Sequence, residues 1–149
     1  MQVYRIAKRR HAQDISGTGS ALFPGRWNVK GTPVLYTGEN PEIALLEAIV
    51  HVPPLLIPTF DLLTLEIPDS ILRWTAGDLP SNWSQYPAPT ILSEMGQQWI
   101  REGETLALQV PSCIVQTAHN FILNCRHPQY SEVKILDQKK FDLDPRLIK

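Results

Sequence analysis

Glu47 is the residue whose surroundings most demand a chemical role. From Ile43 to Phe60 it is the sole formally charged side chain in a stretch that is otherwise apolar, neutral or broken by proline. On a helix running from Ile43 to His51 it shares the i, i+3, i+4, i+7 face with Ile43, Leu46 and Val50, so it is expected to point inward. An unpaired buried carboxylate is costly, so Glu47 must either meet a cation, as in a plain structural ion pair, or line a cleft. Arg26 stands in Pro24-Gly25-Arg26-Trp27-Asn28, at the end of a long loop. Its planar fork suits a phosphate or a carboxylate; the plainer alternative is a surface side chain packed on Trp27. Tyr36, on the short strand between them, either stacks on a planar ligand or belongs to the core. Ser112 follows Pro111 and precedes Cys113 at a strand break. No GxSxG elbow surrounds it, which points to hydrogen bonding rather than nucleophilic attack. Cys113, His119, Cys125 and His127 match no usual zinc spacing, so no metal is expected. Gly17-Thr18-Gly19 lacks the third glycine and following helix of a dinucleotide fingerprint.

These residues must be positioned by a chain of 149 residues, the size of one domain, here residues 1–149. Fourteen Lys and Arg against 15 Asp and Glu give a net charge of −1, which argues against direct nucleic-acid binding. The basic run Lys8-Arg9-Arg10-His11 reads as a solvated loop. Two cysteines and no signal-like N-terminus suggest a reduced, cytoplasmic setting, and the prolines of the apolar run exclude a membrane span there.

Strands are expected at Gln2–Ile6, Pro33–Thr37, Thr59–Ile67, Thr105–Val110, Ser112–Gln116, Val133–Leu136 and Phe141–Leu143. Asn40-Pro41 caps the helix that carries Glu47, which Pro53 ends, and a second helix spans Thr90–Arg101 with Gly103 just beyond it. Residues 11–32, 68–89 and 119–130 read as loops. Trp83 and Trp99 are expected in core or turn packing. Strands outnumber helices and often follow one another directly. The fold class is α+β, a compact, mainly antiparallel sheet with few helices.

In order along the chain, Tyr4-Arg5, Gly25-Arg26-Trp27-Asn28-Val29-Lys30-Gly31-Thr32-Pro33-Val34-Leu35-Tyr36-Thr37, Ala44-Leu45-Leu46-Glu47, Leu79-Pro80, Gly96 to Trp99, Val110-Pro111-Ser112, Asn120, Asn124-Cys125-Arg126-His127-Pro128 and Asp144-Pro145-Arg146-Leu147 resemble the RES domain. The likeness covers nearly the whole chain; Pro24 and Cys125 stand where the family usually has glycine and proline. What the resemblance implies is a fold similar to ADP-ribosyltransferase toxins and the role of a toxin paired with a helix-turn-helix antitoxin. It further implies that NAD⁺ is the substrate, with no other cofactor required, and that the nicotinamide–ribose bond is cleaved by hydrolysis or phosphorolysis. Arg26, Tyr36, Glu47 and Ser112 are then the expected catalytic set, with Arg5 and Asn120 as further NAD⁺ contacts. Transfer of ADP-ribose to a protein, or a non-catalytic module that binds a nucleotide or an antitoxin, stands as the alternative.

Overall fold

The computed structural model describes residues 1–53 and 57–148; Pro54, within the proline-broken run, lies outside them. Strands β1 (Gln2–Lys8), β2 (Val34–Gly38), β3 (Phe60–Glu66), β4 (Ile71–Arg73), β5 (Ala107–Pro111), β6 (His119–Asn124) and β7 (Lys134–Phe141) form one sheet. Their order is β4-β5-β6-β2-β1-β3-β7, antiparallel at every pairing except β4 with β5. Helices α1 (Thr18–Leu22), α2 (Pro41–Ile49) and α3 (Thr90–Glu102) complete the α+β fold. None of the described helices is long and apolar enough to cross a membrane.

The sheet is forked. β1 pairs with β3 from Gln2↔Glu66 to Lys8↔Phe60, and β2 pairs with β6 from Val34↔Asn124 to Gly38↔Asn120. β1 and β2 themselves share a single registered pair, Tyr4↔Gly38. Beyond it the half-sheets β1-β3-β7 and β4-β5-β6-β2 part, and one face of each packs into a common core. Val3, Ala7, Leu63 and Leu65 come from one half, and Leu35, Ala107, Phe121 and Leu123 from the other. The opposite face carries the two longer helices. Ala44, Leu45 and Ala48 of α2 cover Ile6 and Phe60. Leu92 and Trp99 of α3, with Trp27 and Trp83, cover Val34, Leu108, Val110 and Ile122. Truncating a fully buried leucine such as Leu63 or Leu92 to alanine costs about 2–5 kcal/mol.

Local chemistry explains the helix ends. The Asn40 side chain accepts from the Ile43 N–H and Pro41 occupies the first turn of α2. Gly103 closes α3 at φ 63°. Two glycines set how closely these helices approach. A Cβ on Gly38 would lie 2.9 Å from the Ala44 nitrogen, and one on Gly96 would lie 1.8 Å from the Trp27 carbonyl oxygen. So α2 rests on β2, and α3 rests on the backbone of the loop bearing Arg26.

Several boundaries differ from those the sequence suggests. The expected connection at 119–130 begins with β6, a central strand; polar His119, Asn120 and Asn124 flank and disguise the apolar Phe121-Ile122-Leu123. The expected strand Ser112–Gln116 is a turn, closed by the Ser112 hydroxyl accepting from the Ile114 and Val115 N–H groups. The two closing strands are one, β7, the loop 11–32 contains α1, and the turn-rich 68–89 segment contributes β4. On α2 the buried positions are Ile43 and Ala44, whereas Val50 is exposed.

Gly96→Ala is expected to lower stability by about 1–3 kcal/mol through overpacking against Trp27. Gly19→Ala, inside α1 where a Cβ meets nothing within 4 Å, should be neutral or stabilising by up to about 1 kcal/mol. Urea denaturation of both variants, with equal m-values, checks the opposite signs.

Candidate active site

Paired residues of a sheet share a face, so Tyr36–Ile122–Leu108 and Gly38–Asn120–Val110 form successive rows across β2, β6 and β5. Ser112 continues that face two residues beyond Val110, its N–H bonded to the Ala118 carbonyl. Glu47 reaches down from α2 to this end of the sheet, where its Oε1 accepts from the Ser112 hydroxyl at 3.1 Å. Ser112 is 0% exposed and uses its one proton on Glu47 while its oxygen receives two turn N–H groups. It therefore holds the carboxylate in place; the expected direct contact between Ser112 and a ligand is not what this geometry offers. Glu47 is half-buried with no cationic partner among the described residues, so the ion-pair reading of its setting is not met; its partner is the Ser112 hydroxyl.

Arg26 does not compensate Glu47. Its Nη1 donates to the Trp83 carbonyl at 2.8 Å and the Gln85 carbonyl at 3.0 Å. Nε and Nη2 have no protein acceptor among the described residues, so half of the fork is left unused. The loop that carries it is fixed from below by Tyr36. The phenol donates to Asn28 Oδ1 at 2.6 Å and accepts from the Trp27 N–H at 3.0 Å. A Cβ on Gly25 would lie 2.8 Å from its ring, so glycine is required where the loop crosses the tyrosine. Burial pushes the Tyr36 phenol above its ordinary pKa, which keeps it neutral and a donor. Tyr36 is thus first a positioning residue for Arg26, with its ring still partly exposed.

Asn28 lies beneath this arrangement at 1% exposure. Its Oδ1 accepts from Gly25 N–H at 2.8 Å and from Tyr36, and its Nδ2 donates to the Ser20 and Thr32 carbonyls at 2.9 and 3.0 Å. Asn120, half-buried, makes only a long 3.5 Å side-chain bond to the Thr37 carbonyl. Glu39 and His119 add a clamp that no sequence pattern announces. Glu39 N–H bonds the His119 carbonyl, while its carboxylate accepts the His119 N–H at 3.0 Å and meets Nδ1 at 3.2 Å. That clamp fixes the start of α2 beside the turn containing Ser112.

Arg5 does not join the other five candidates. It pairs with Leu63 and sits on the core-facing side of β1 with Val3 and Ala7, opposite the face that α2 covers. The alternation of β1 places it there, since the register Tyr4↔Gly38 gives the helix side to Tyr4 and Ile6. Among the described residues no group of three or more His, Cys, Asp or Glu is placed to hold a metal ion.

Residues 2–144 match the family described as RES domain. The chain is 36% identical over 151 residues to a protein of Yersinia enterocolitica named Toxin Res, covering 99% of each. It is 34% identical over 148 residues to a Sphingobium protein named Prs ADP-ribosylating toxin, covering 96% of this chain and 92% of that one. Its fold is similar to a chain in the crystal structure of the Mycobacterium tuberculosis MbcT–MbcA toxin–antitoxin complex, with a TM-score of 0.79 at 16% identity over 99% of this chain and 86% of that chain.

Asn28→Asp is expected to destabilise the fold by about 3 kcal/mol or more, because it buries a charge and strips two carbonyls of their donor. Tyr36→Phe, which removes one hydroxyl, should cost about 1–3 kcal/mol. Denaturant midpoints of the two variants rank them.

Proposed function

The chain belongs to the RES domain family, and on that premise we propose that it is the toxin of a toxin–antitoxin pair and acts by cleaving the nicotinamide–ribose bond of NAD⁺. The observation that carries this reading is the Glu47 carboxylate, held by a fully buried Ser112 on the sheet face that also presents Tyr36 and Asn120. Breaking this bond builds positive charge on the ribose carbon, as in glycoside cleavage. A carboxylate fixed in a half-buried setting stabilises that charge and needs no reorganisation to do so.

The remaining groups divide the other tasks. The unused half of the Arg26 fork suits a pyrophosphate oxygen pair. The exposed part of the Tyr36 ring offers a surface for the nicotinamide or ribose, and the Asn120 amide a hydrogen bond to a ribose hydroxyl. The electron pair of the broken bond returns to the pyridinium ring, so nicotinamide leaves neutral and no strong general acid is required. Water or phosphate then adds to the ribose carbon and gives up its proton to solvent. A second reading is favoured by the name of the Sphingobium relative: an amino-acid side chain as acceptor, giving an ADP-ribosylated protein. The partner in either case is an antitoxin, expected to be of the helix-turn-helix type. Any DNA binding falls to that partner, in keeping with the −1 charge of this chain.

Proton NMR of NAD⁺ mixed with the purified chain, with and without phosphate, tests the proposal. Nicotinamide release is expected from the native chain, with Glu47→Gln slower by at least about 100-fold at unchanged stability. Free ADP-ribose identifies water as acceptor, and ADP-ribose 1″-phosphate identifies phosphate. Label on a discrete protein band with little free product supports the second reading. Tight NAD⁺ binding without turnover in any of these assays overturns both.

A further inference from the structure

The sheet ends on its longest strand. β7 runs over eight residues, Lys134–Phe141, whereas β4 at the opposite end has only three. β3 pairs with one side of β7, and its other side has no strand beside it among the described residues. No turn or loop among them hydrogen-bonds to its backbone. Five of its eight residues are exposed and none is buried. An edge of that length presents a row of N–H and C=O groups as a template for another strand.

Edge strands are guarded by brevity, by a bulge or by charges of one sign. Brevity guards β4. On β7, Thr64 pairs with Asp137 and Leu65 with Ile135, so Leu136 is passed over as a bulge and stands 51% exposed. From Asp137 to Phe141 the strand is regular, each residue pairing in turn with β3. Its charges there differ in sign. Asp137 and Lys139 pair with Thr64 and Leu62, two positions apart on β3, so both occupy the same face. Carboxylate and ammonium meet at 3.6 Å, with the side chains 53% and 65% exposed. A pair so exposed contributes little within one chain and can re-pair with a neighbour.

Set antiparallel to itself about Gln138, this stretch is its own complement. Asp137 of one copy falls opposite Lys139 of the other, and the two-fold axis repeats the pair in reverse. Directly opposed side chains of opposite charge on one face attract. Leu136 falls opposite Lys140, whose aliphatic stem can cover it. Gln138 sits on the axis, its amide already donated to Asp61 Oδ2 at 2.8 Å. Centring the contact on Asp137 or on Lys139 instead would oppose like charges, so the register is specified. We propose that β7 is a self-pairing edge, through which two copies of this chain associate antiparallel about Gln138. The contact uses none of the residues of the Glu47 site.

Sedimentation velocity of the purified chain over a concentration series tests the assignment, with a monomer–dimer equilibrium expected. Asp137→Lys and Lys139→Asp should each raise the dimer dissociation constant by roughly tenfold or more, because each sets two like-charge pairs across the axis. The double variant Asp137→Lys with Lys139→Asp restores the native constant. An equimolar mixture of the two single variants is the sharper case. One has lysine at both positions and the other aspartate at both, so they should associate with each other more tightly than either does with itself. Thermal melts confirm that each variant is folded, and the double variant decides if a single one is not. A chain that stays monomeric throughout the series, a dimer indifferent to the reversals, or single variants that do not associate with each other overturns the proposal. NAD⁺ takes no part in these measurements, so their outcome is independent of the NAD⁺-cleaving reading.

Discussion

Four hydrogen bonds to one buried amide hold the active face together. Asn28 uses both acceptor positions and both donors, and its partners come from α1, the glycine before Arg26, the approach to β2, and Tyr36 on β2 itself. An amide can make no more than this, and in a site that excludes water any of the four left unmade costs about 1–3 kcal/mol. The loop from Ser20 to Thr32 has little apolar surface of its own to bury. It is ordered by this polar hub and by Trp27, which lodges between β-strands and α3. Arg26 inherits its position from both.

The two ends of the site are built by different means. Around Arg26 the determinants are hydrogen bonds and close backbone approaches, at Gly25 over Tyr36 and at Gly96 under Trp27. Around Glu47 they are the helix itself, seated on Gly38, and a serine that reaches it across 65 positions of sequence. A carboxylate with a hydroxyl donor and partial exposure escapes the penalty of full burial. It does so without the cationic partner that the apolar setting of the sequence suggests.

The two longer helices were legible because their signals are local: Asn40-Pro41 opens α2, Gly103 closes α3, and Pro53 bars extension. The setting of Glu47 was legible in part, since a lone charge on a largely apolar helix does lie half-buried against the sheet. What the residues do not announce is long-range. β6 was hidden because its buried centre, Phe121-Ile122-Leu123, is only three residues long and flanked by polar ones whose partners, Glu39 and Thr37, are some 80 positions away. Ser112 looked like a strand residue because the apolar Ile114 and Val115 follow it, yet its hydroxyl closes a turn. Arg5 was grouped with the other site residues by its order in the family series; the pleat of β1 assigns it to the opposite face, which no single sequence position reveals.

The order of strands also sets when the site can exist. β6 lies between β5 and β2, and Ser112 becomes fixed only once Ala118 and His119 are in place beside it. Glu47 and Arg26 leave the ribosome long before these residues do. A nascent chain that ends before Asn124 carries every charged group of the site but not the central strand that aligns them. The face that aligns Arg26 with Glu47 is therefore completed only after about five sixths of the chain, up to Asn124, has been made.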